Sequence, residues 1–206
     1  MFHLNRVFKF LAVLVVTVLL NGCNDPKLDP IARGGTILAF GDSLTEGVGT
    51  TRSRSYPAVL ADLTGLNVIN AGVSGETTDK GLERFPVELE RSSPDLVILI
   101  EGGNDILRNK SHSSIKKNLR MMIEMAESRG IPVVLVGVPK KSLFSSSAPF
   151  YEELAEDFDL VYDGSLIVDL LRNPSLKSDQ IHFNEAGYQE MAESIHALMK
   201  NNGALP

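Results

Sequence analysis

Cysteine is all but absent from this chain: of 206 residues only Cys23 carries a thiol. An intrachain disulfide needs two thiols, so a disulfide framework is excluded, and with it a cysteine-based zinc cluster. Tryptophan is missing altogether and aromatic residues make up only 6% of the chain. Basic charge is short as well, with 20 Lys and Arg against 26 Asp and Glu and a net charge of −6. Nothing forms the basic stripe that phosphate neutralisation needs, which argues against a nucleic-acid partner. Internal repeats and low-complexity tracts are lacking. The one extended apolar run, residues 10–20, falls short of the about 20 residues of a membrane-spanning helix. What is there is ordinary: 43% hydrophobic and 22% charged residues, enough to bury a core in one domain of this length.

The first residues look like an address. Arg6 and Lys9 precede the apolar run, which ends in Leu20-Asn21-Gly22-Cys23. A basic start, an apolar stretch and a small residue before the break read as a secretory signal. Leu20-Asn21-Gly22-Cys23 resembles the bacterial lipobox, which implies that Cys23 is lipidated and becomes the first residue of the mature chain. Retention of the run as an anchor is the alternative. The expected organisation is a lipoprotein signal peptide over 1–22, lipidated cysteine and linker over 23–34, and one domain over 35–203. Loss of Arg6 and Lys9 with the leader would take the net charge from −6 to −8. Asn24-Asp25 after the cysteine leans toward the outer membrane in a Gram-negative cell, by analogy with lipoprotein sorting.

Beyond the leader, short β-branched runs alternate with longer amphipathic stretches. Strands are expected at 36–40, 66–70, 96–101, 133–138 and 160–162, runs apolar almost throughout, as parallel strands covered on both faces are. Ile115, Leu119, Met122, Ile123 and Ala126 follow a helical rhythm ended by Gly130 and Pro132. Tyr188, Met191, Ala192, Ile195, Leu198 and Met199 repeat it, with Asn184 as N-cap. Helices are also expected at 56–63, 151–158 and 78–90, the last interrupted at Pro86. Strand–helix alternation of this kind builds right-handed βαβ units. The fold class is therefore α/β: a three-layer α/β/α sandwich around a parallel sheet of about five strands.

Ligands in such folds bind beyond the carboxyl ends of the strands, and three strand ends carry conspicuous residues. They are Gly41-Asp42-Ser43-Leu44, Asn70-Ala71-Gly72-Val73-Ser74-Gly75-Glu76-Thr77, and Glu101-Gly102-Gly103-Asn104-Asp105. A serine at a strand-to-helix junction, a glycine amide and an asparagine side chain can together stabilise an oxyanion. Serine needs a base, and the base an orienting acid. Asp179-Gln180-Ile181-His182 offers both at a spacing that can place the carboxylate against one ring nitrogen, a weak signal alone that gains weight beside the other three blocks. His112 lies in a polar stretch and is expected to be solvated; His196 lies beside the apolar face of the last helix. Asp42 and Asp105 are expected to brace the Ser43 and Asn104 loops, and Glu76 and Glu101 to be exposed or loop-bracing. The glycine-rich 41–49 loop lacks the Gly-Lys-Ser/Thr ending of a phosphate-binding loop. No second histidine has metal-ligand spacing, so neither metal nor cofactor is expected. No serine sits in the Gly-x-Ser-x-Gly of an α/β-hydrolase.

Those four blocks, in this order, resemble the SGNH, or GDSL-type, hydrolases, in particular the thioesterase I/lysophospholipase and arylesterase-like branch. The resemblance runs from Thr36 to Leu198 and implies a flavodoxin-like sheet and an esterase. It implies Ser43 as nucleophile, His182 as base and Asp179 as its orienter. The oxyanion hole would be the Ser43 and Gly75 amides with the Asn104 side chain. Phe183 stands where the family usually has Pro or Leu. Ile106, Leu107, Leu143 and Phe144 are candidates for an acyl groove, Leu143 and Phe144 equally for capping the core. The expected substrates are short- to medium-chain acyl esters, aryl esters, thioesters or lysophospholipids. The expected enzyme is a monomer, held to the cell envelope through Cys23. A carbohydrate O-acetylesterase and a non-catalytic lipoprotein are the alternatives.

Overall fold

The computed structural model describes residues 27–140 and 146–206. The leader, Cys23, Leu143 and Phe144 lie outside the described residues. Five strands, β1 (Thr36–Gly41), β2 (Asn67–Gly72), β3 (Leu96–Ile100), β4 (Val133–Val136) and β5 (Val161–Asp163), form one parallel sheet in the order β2-β1-β3-β4-β5. Phe40 sits in register with Ala71 on one side and Leu99 on the other. The two central strands read as apolar runs because both of their faces are covered: every residue of β3 and residues 37–41 of β1 are buried.

The described residues form eight α-helices, six between strands and two after β5. They are α1 (Ser43–Glu46), α2 (Tyr56–Thr64), α3 (Thr78–Ser92), α4 (Gly103–Leu107), α5 (His112–Glu127), α6 (Pro149–Asp157), α7 (Leu166–Arg172) and α8 (Glu185–Asn201). Helix α2 packs on α8, which also carries α7, while α3 packs on α5 and α5 on α6, giving a helical layer on each side of the sheet. Helix α5 buries Ile115, Leu119, Met122, Ile123 and Ala126, the stripe its sequence spells out, and is capped by Ser111. Helix α8 begins at Asn184, whose side chain accepts from the Gly187 amide at 3.1 Å.

Three expectations need correction. Pro86 does not interrupt α3, which runs unbroken through it. A proline inside a helix costs about 3 kcal/mol. Phe85 and Leu89, both buried on the same face, each return about 1.5–3 kcal/mol on burial, and Phe85 meets Phe40 edge-on at 4.8 Å. Strand β4 stops at Val136, because beyond it the Gly137 amide turns to Asp163 and Val138 accepts from Ala148. Finally, residues 27–34, expected as linker, are docked on the body. The amides of Leu28 and Ile31 bond the carbonyls of Asn202 and Ala204 at 2.9 Å, and Leu28 is buried. Ala204 and Leu205 are buried too, so the packed body continues past residue 203.

Candidate active site

From β1 the chain turns to β2 on one side of the sheet, and from β3 to β4 on the other. That reversal opens a crevice beyond the carboxyl ends of β1 and β3, the position at which open α/β sheets bind ligands. Ser43 is the first residue of α1, immediately beyond β1, with Asp42 as the helix N-cap. Its own amide is thus one of those that have no partner within a helix.

His182 comes from the other end of the chain, just before α8. Its Nε2 lies 3.0 Å from the Ser43 hydroxyl and its Nδ1 lies 2.7 Å from Asp179 Oδ2. An ionised carboxylate only accepts, so the neutral ring carries its proton on Nδ1 and turns the Nε2 lone pair toward Ser43. Asp179 Oδ1 also accepts the amides of Ile181 and His182, each at 2.8 Å. Partial burial works the other way, but the hydrogen bonds from the His182 ring and these two amides hold the Asp179 carboxyl down to about 2. The histidine loop is pinned from behind. Phe183 is wholly buried edge-on to Tyr188, and the Tyr188 hydroxyl donates to the Val48 carbonyl at 2.7 Å, tying α8 to the segment after Ser43.

The remaining strand ends converge on the same crevice. Gly75 has φ of +77°, a conformation open to glycine and costly for other residues, and it lines the cleft. Gly72 does a different job: a Cβ there would lie 2.0 Å from the Glu46 amide nitrogen, so it permits close approach of backbones and stays out of the cleft. Asn104, the second residue of α4, lines the cleft and donates from Nδ2 to Asp42 Oδ2 at 3.2 Å. Ile106 and Leu107 line it too. Val138, Ile167, Leu171 and Ile181 also line it, none of them expected from the sequence as groove residues. The whole cleft measures about 160 Å³.

Beneath the cleft the carboxylates differ from expectation. Asp42 braces its own loop through the Leu44 amide, but Asp105 reaches across to the start of α3, accepting from the Thr78 amide at 2.8 Å and hydroxyl at 2.9 Å. Glu76 and Glu101 are both buried. Glu76 is held by Arg84, which also lies over the Phe40 ring at 4.1 Å. Glu101 accepts from the Gly102 amide at 3.1 Å, and its second oxygen has no hydrogen-bond partner among the described residues. Burial, aided by the Asp42 and Glu76 charges, pushes the Glu101 carboxyl well above its ordinary range. His112 is exposed and stacks edge-on to Phe150, and His196 is half-buried; neither reaches the cleft.

Comparison with known proteins places the chain among relatives. A relative from Escherichia coli K12, named thioesterase 1/protease 1/lysophospholipase L1, is 27% identical over 192 residues, covering 89% of each chain. Esterase TesA of Pseudomonas aeruginosa is 34% identical over 127 residues, 59% of this chain and 63% of its own, so this chain spans just under two thirds of that relative. The psychrotrophic esterase EstA of Pseudoalteromonas superposes with a TM-score of 0.72 at 21% identity, over 81% of this chain and 97% of its own, and shares the fold. Residues 39–190 match the GDSL-like lipase/acylhydrolase family, and they hold every residue of the Ser43–His182–Asp179 relay. The chain belongs to that family of ester hydrolases.

Proposed function

We propose that the chain is a serine hydrolase of carboxylic esters and thioesters, acting through an acyl-enzyme on Ser43. The observation that carries this reading is the hydroxyl–imidazole–carboxylate relay, 3.0 Å and 2.7 Å in its two links, beside amide donors at the mouth of an apolar cleft. His182 Nε2 takes the Ser43 proton as the oxygen attacks the substrate carbonyl. The charge on the carbonyl oxygen is met by the amides of Ser43 and Gly75 and the Asn104 side chain. His182 then protonates the departing alcohol or thiol, and water repeats the sequence on the acyl-enzyme. Asp179, held near 2, stays ionised throughout and faces the imidazolium that forms.

The cleft, about 160 Å³ and lined by Leu44, Ile106, Leu107, Val138, Ile167 and Leu171, suits short to medium acyl chains better than long ones. Lysophospholipids and aryl esters enter as substrates whose acyl end fits this space. The sequence around Cys23 supports export and lipid attachment of the mature chain to the cell envelope. Among the described residues no helix is long and apolar enough to cross a membrane.

The test is a p-nitrophenyl ester series from acetate to palmitate together with fluorophosphonate labelling. Hydrolysis that peaks at short to medium chains, with labelling lost in Ser43→Ala, is the expected result. Activity on acetate alone, with acetylated glycans as good substrates, would replace it with a carbohydrate O-acetylesterase. Labelling that persists without the Ser43 hydroxyl would mean another nucleophile. Labelling with radioactive palmitate tests the anchor: the intact chain should take up label and Cys23→Ala should not, whereas an unlabelled intact chain in the membrane fraction would mean the apolar run is retained.

A further inference from the structure

The two ends of an asparagine carboxamide have nearly the same shape, yet only the NH2 end can donate to a developing anion. An oxyanion niche that relies on Asn104 therefore needs something to decide which end faces the cleft. The side chain next to it is Asp42, only 3% exposed and held in place by the Leu44 amide on its Oδ1. Its Oδ2 receives Asn104 Nδ2 at 3.2 Å. Gly103 leaves the pair room: a Cβ there would stand 3.0 Å from the same Oδ2. A carboxylate has no proton to give, so its neighbour must turn an N–H toward it, and the second N–H of the same nitrogen remains for the cleft.

We propose that Asp42 is a positioning residue, whose carboxylate fixes the Asn104 carboxamide with Nδ2 toward the oxyanion. The inference rests on the esterase reading above and assigns Asp42 a task beyond bracing its own loop. It also ties that task to proton occupancy. Once protonated, Asp42 can donate to Asn104 Oδ1, the amide turns over, and an oxygen faces the place where negative charge develops. The charged groups acting on Asp42 are His182, which lowers its pKa, and Glu76, Glu101 and Asp105, which raise it. Burial outweighs the Leu44 hydrogen bond and the His182 charge and holds the carboxyl up at about 6. The niche is set above that pH and unset below it.

A double-mutant cycle reads the coupling directly. Turnover of p-nitrophenyl butyrate is measured at pH 8 for the intact chain, Asp42→Asn, Asn104→Ala and the double variant. Asn104→Ala should lower kcat by about 10²–10³-fold. In Asp42→Asn the oxygen stays on the Leu44 amide and the new NH2 faces Asn104, so the wrong amide orientation dominates. A loss of about five- to tenfold in kcat is expected, with KM about unchanged. On the Asn104→Ala background the same change should cost nothing further. Equal losses on both backgrounds would overturn the positioning role and leave Asn104 as an oxyanion donor. An Asn104→Ala enzyme with normal turnover would overturn both. A second measurement needs no change at Asp42: the acid limb of log kcat against pH should steepen in the wild type from a slope of one to about one and a half, the most that a five- to tenfold loss allows, and stay at one in Asn104→Ala. A wild-type slope of one throughout overturns the inference.

Discussion

Replacing Asp179 by asparagine tests the relay at its outer link, and hydrogen-bond counting gives the size of the effect. The carboxylate takes three donors: the amides of Ile181 and His182 on Oδ1 and the His182 ring on Oδ2. Asparagine has one oxygen. Two fixed backbone donors claim it, so its NH2 turns to the ring. Nδ1 must then accept, the ring proton moves to Nε2, and the nitrogen that faced Ser43 as a base now faces it as a donor. In serine triads that reversal costs about 10⁴-fold in kcat. Here the Asp179 side chain is 53% exposed, so water can take over part of its role, and about 10³-fold, or about 4 kcal/mol of barrier, is expected. Alanine at the same position admits water against Nδ1–H and keeps the productive tautomer. It should therefore be less harmful to kcat than asparagine and more harmful to stability, because the loop amides lose their acceptor. The assay is kcat on p-nitrophenyl butyrate at pH 8, with circular dichroism and the thermal midpoint as controls. An asparagine variant within about tenfold of wild type, or a folded alanine variant slower than asparagine, refutes the tautomer argument.

Burial raises the folded pKa of the Glu101 carboxyl well above the ordinary 4.5, so the stability it allows is full below that ordinary value and declines as pH rises toward the folded pKa. Glu101→Gln should remove that decline, matching wild type in urea unfolding at pH 5 and exceeding it at pH 8; parallel curves would contradict it. Pro86→Ala restores a helix hydrogen bond in α3 but loosens the unfolded chain, for a net gain of about 1–2 kcal/mol and a higher thermal midpoint. Leu107, 39% exposed on the cleft rim, can be changed without disturbing the core. Leu107→Asp should raise KM for p-nitrophenyl octanoate by about tenfold and leave the acetate ester unaffected, and equal effects on both esters would place the acyl chain elsewhere.

The chemistry of this site was legible early because it resides in short blocks whose residue types are constrained locally. Ser43 at a strand end and Asp179 three residues before His182 are each weak signals alone and drew their weight from standing in one chain, in order, with the Gly75 and Asn104 blocks. What was misread depended on distant packing. The break expected at Pro86 rests on a cost local to the helix, whereas Phe85 and Leu89 gain their burial from the sheet. Glu76 and Glu101 look like surface residues until Arg84 folds back over Phe40 and the end of β3 sinks beneath the loops. Ile167 and Leu171 belong to α7, a helix buried at nearly every position, so no amphipathic rhythm marks it and its place in the cleft wall comes from tertiary structure alone.

The docking of Leu28 and Ile31 gives the molecule two poles. Because the sheet is parallel, the segment that meets Asn202 and Ala204, close to Asp95 and Pro132, lies at the amino ends of the strands, while the cleft opens at their carboxyl ends. Whatever is joined upstream of Lys27, an acyl chain, an affinity tag or a resin, is attached at the foot of the molecule. Cys23 is four peptide steps from Lys27, a leash of at most about 14 Å. The lipid attachment proposed at Cys23 would on so short a leash turn the mouth outward, toward esters arriving through water rather than from the surface beneath.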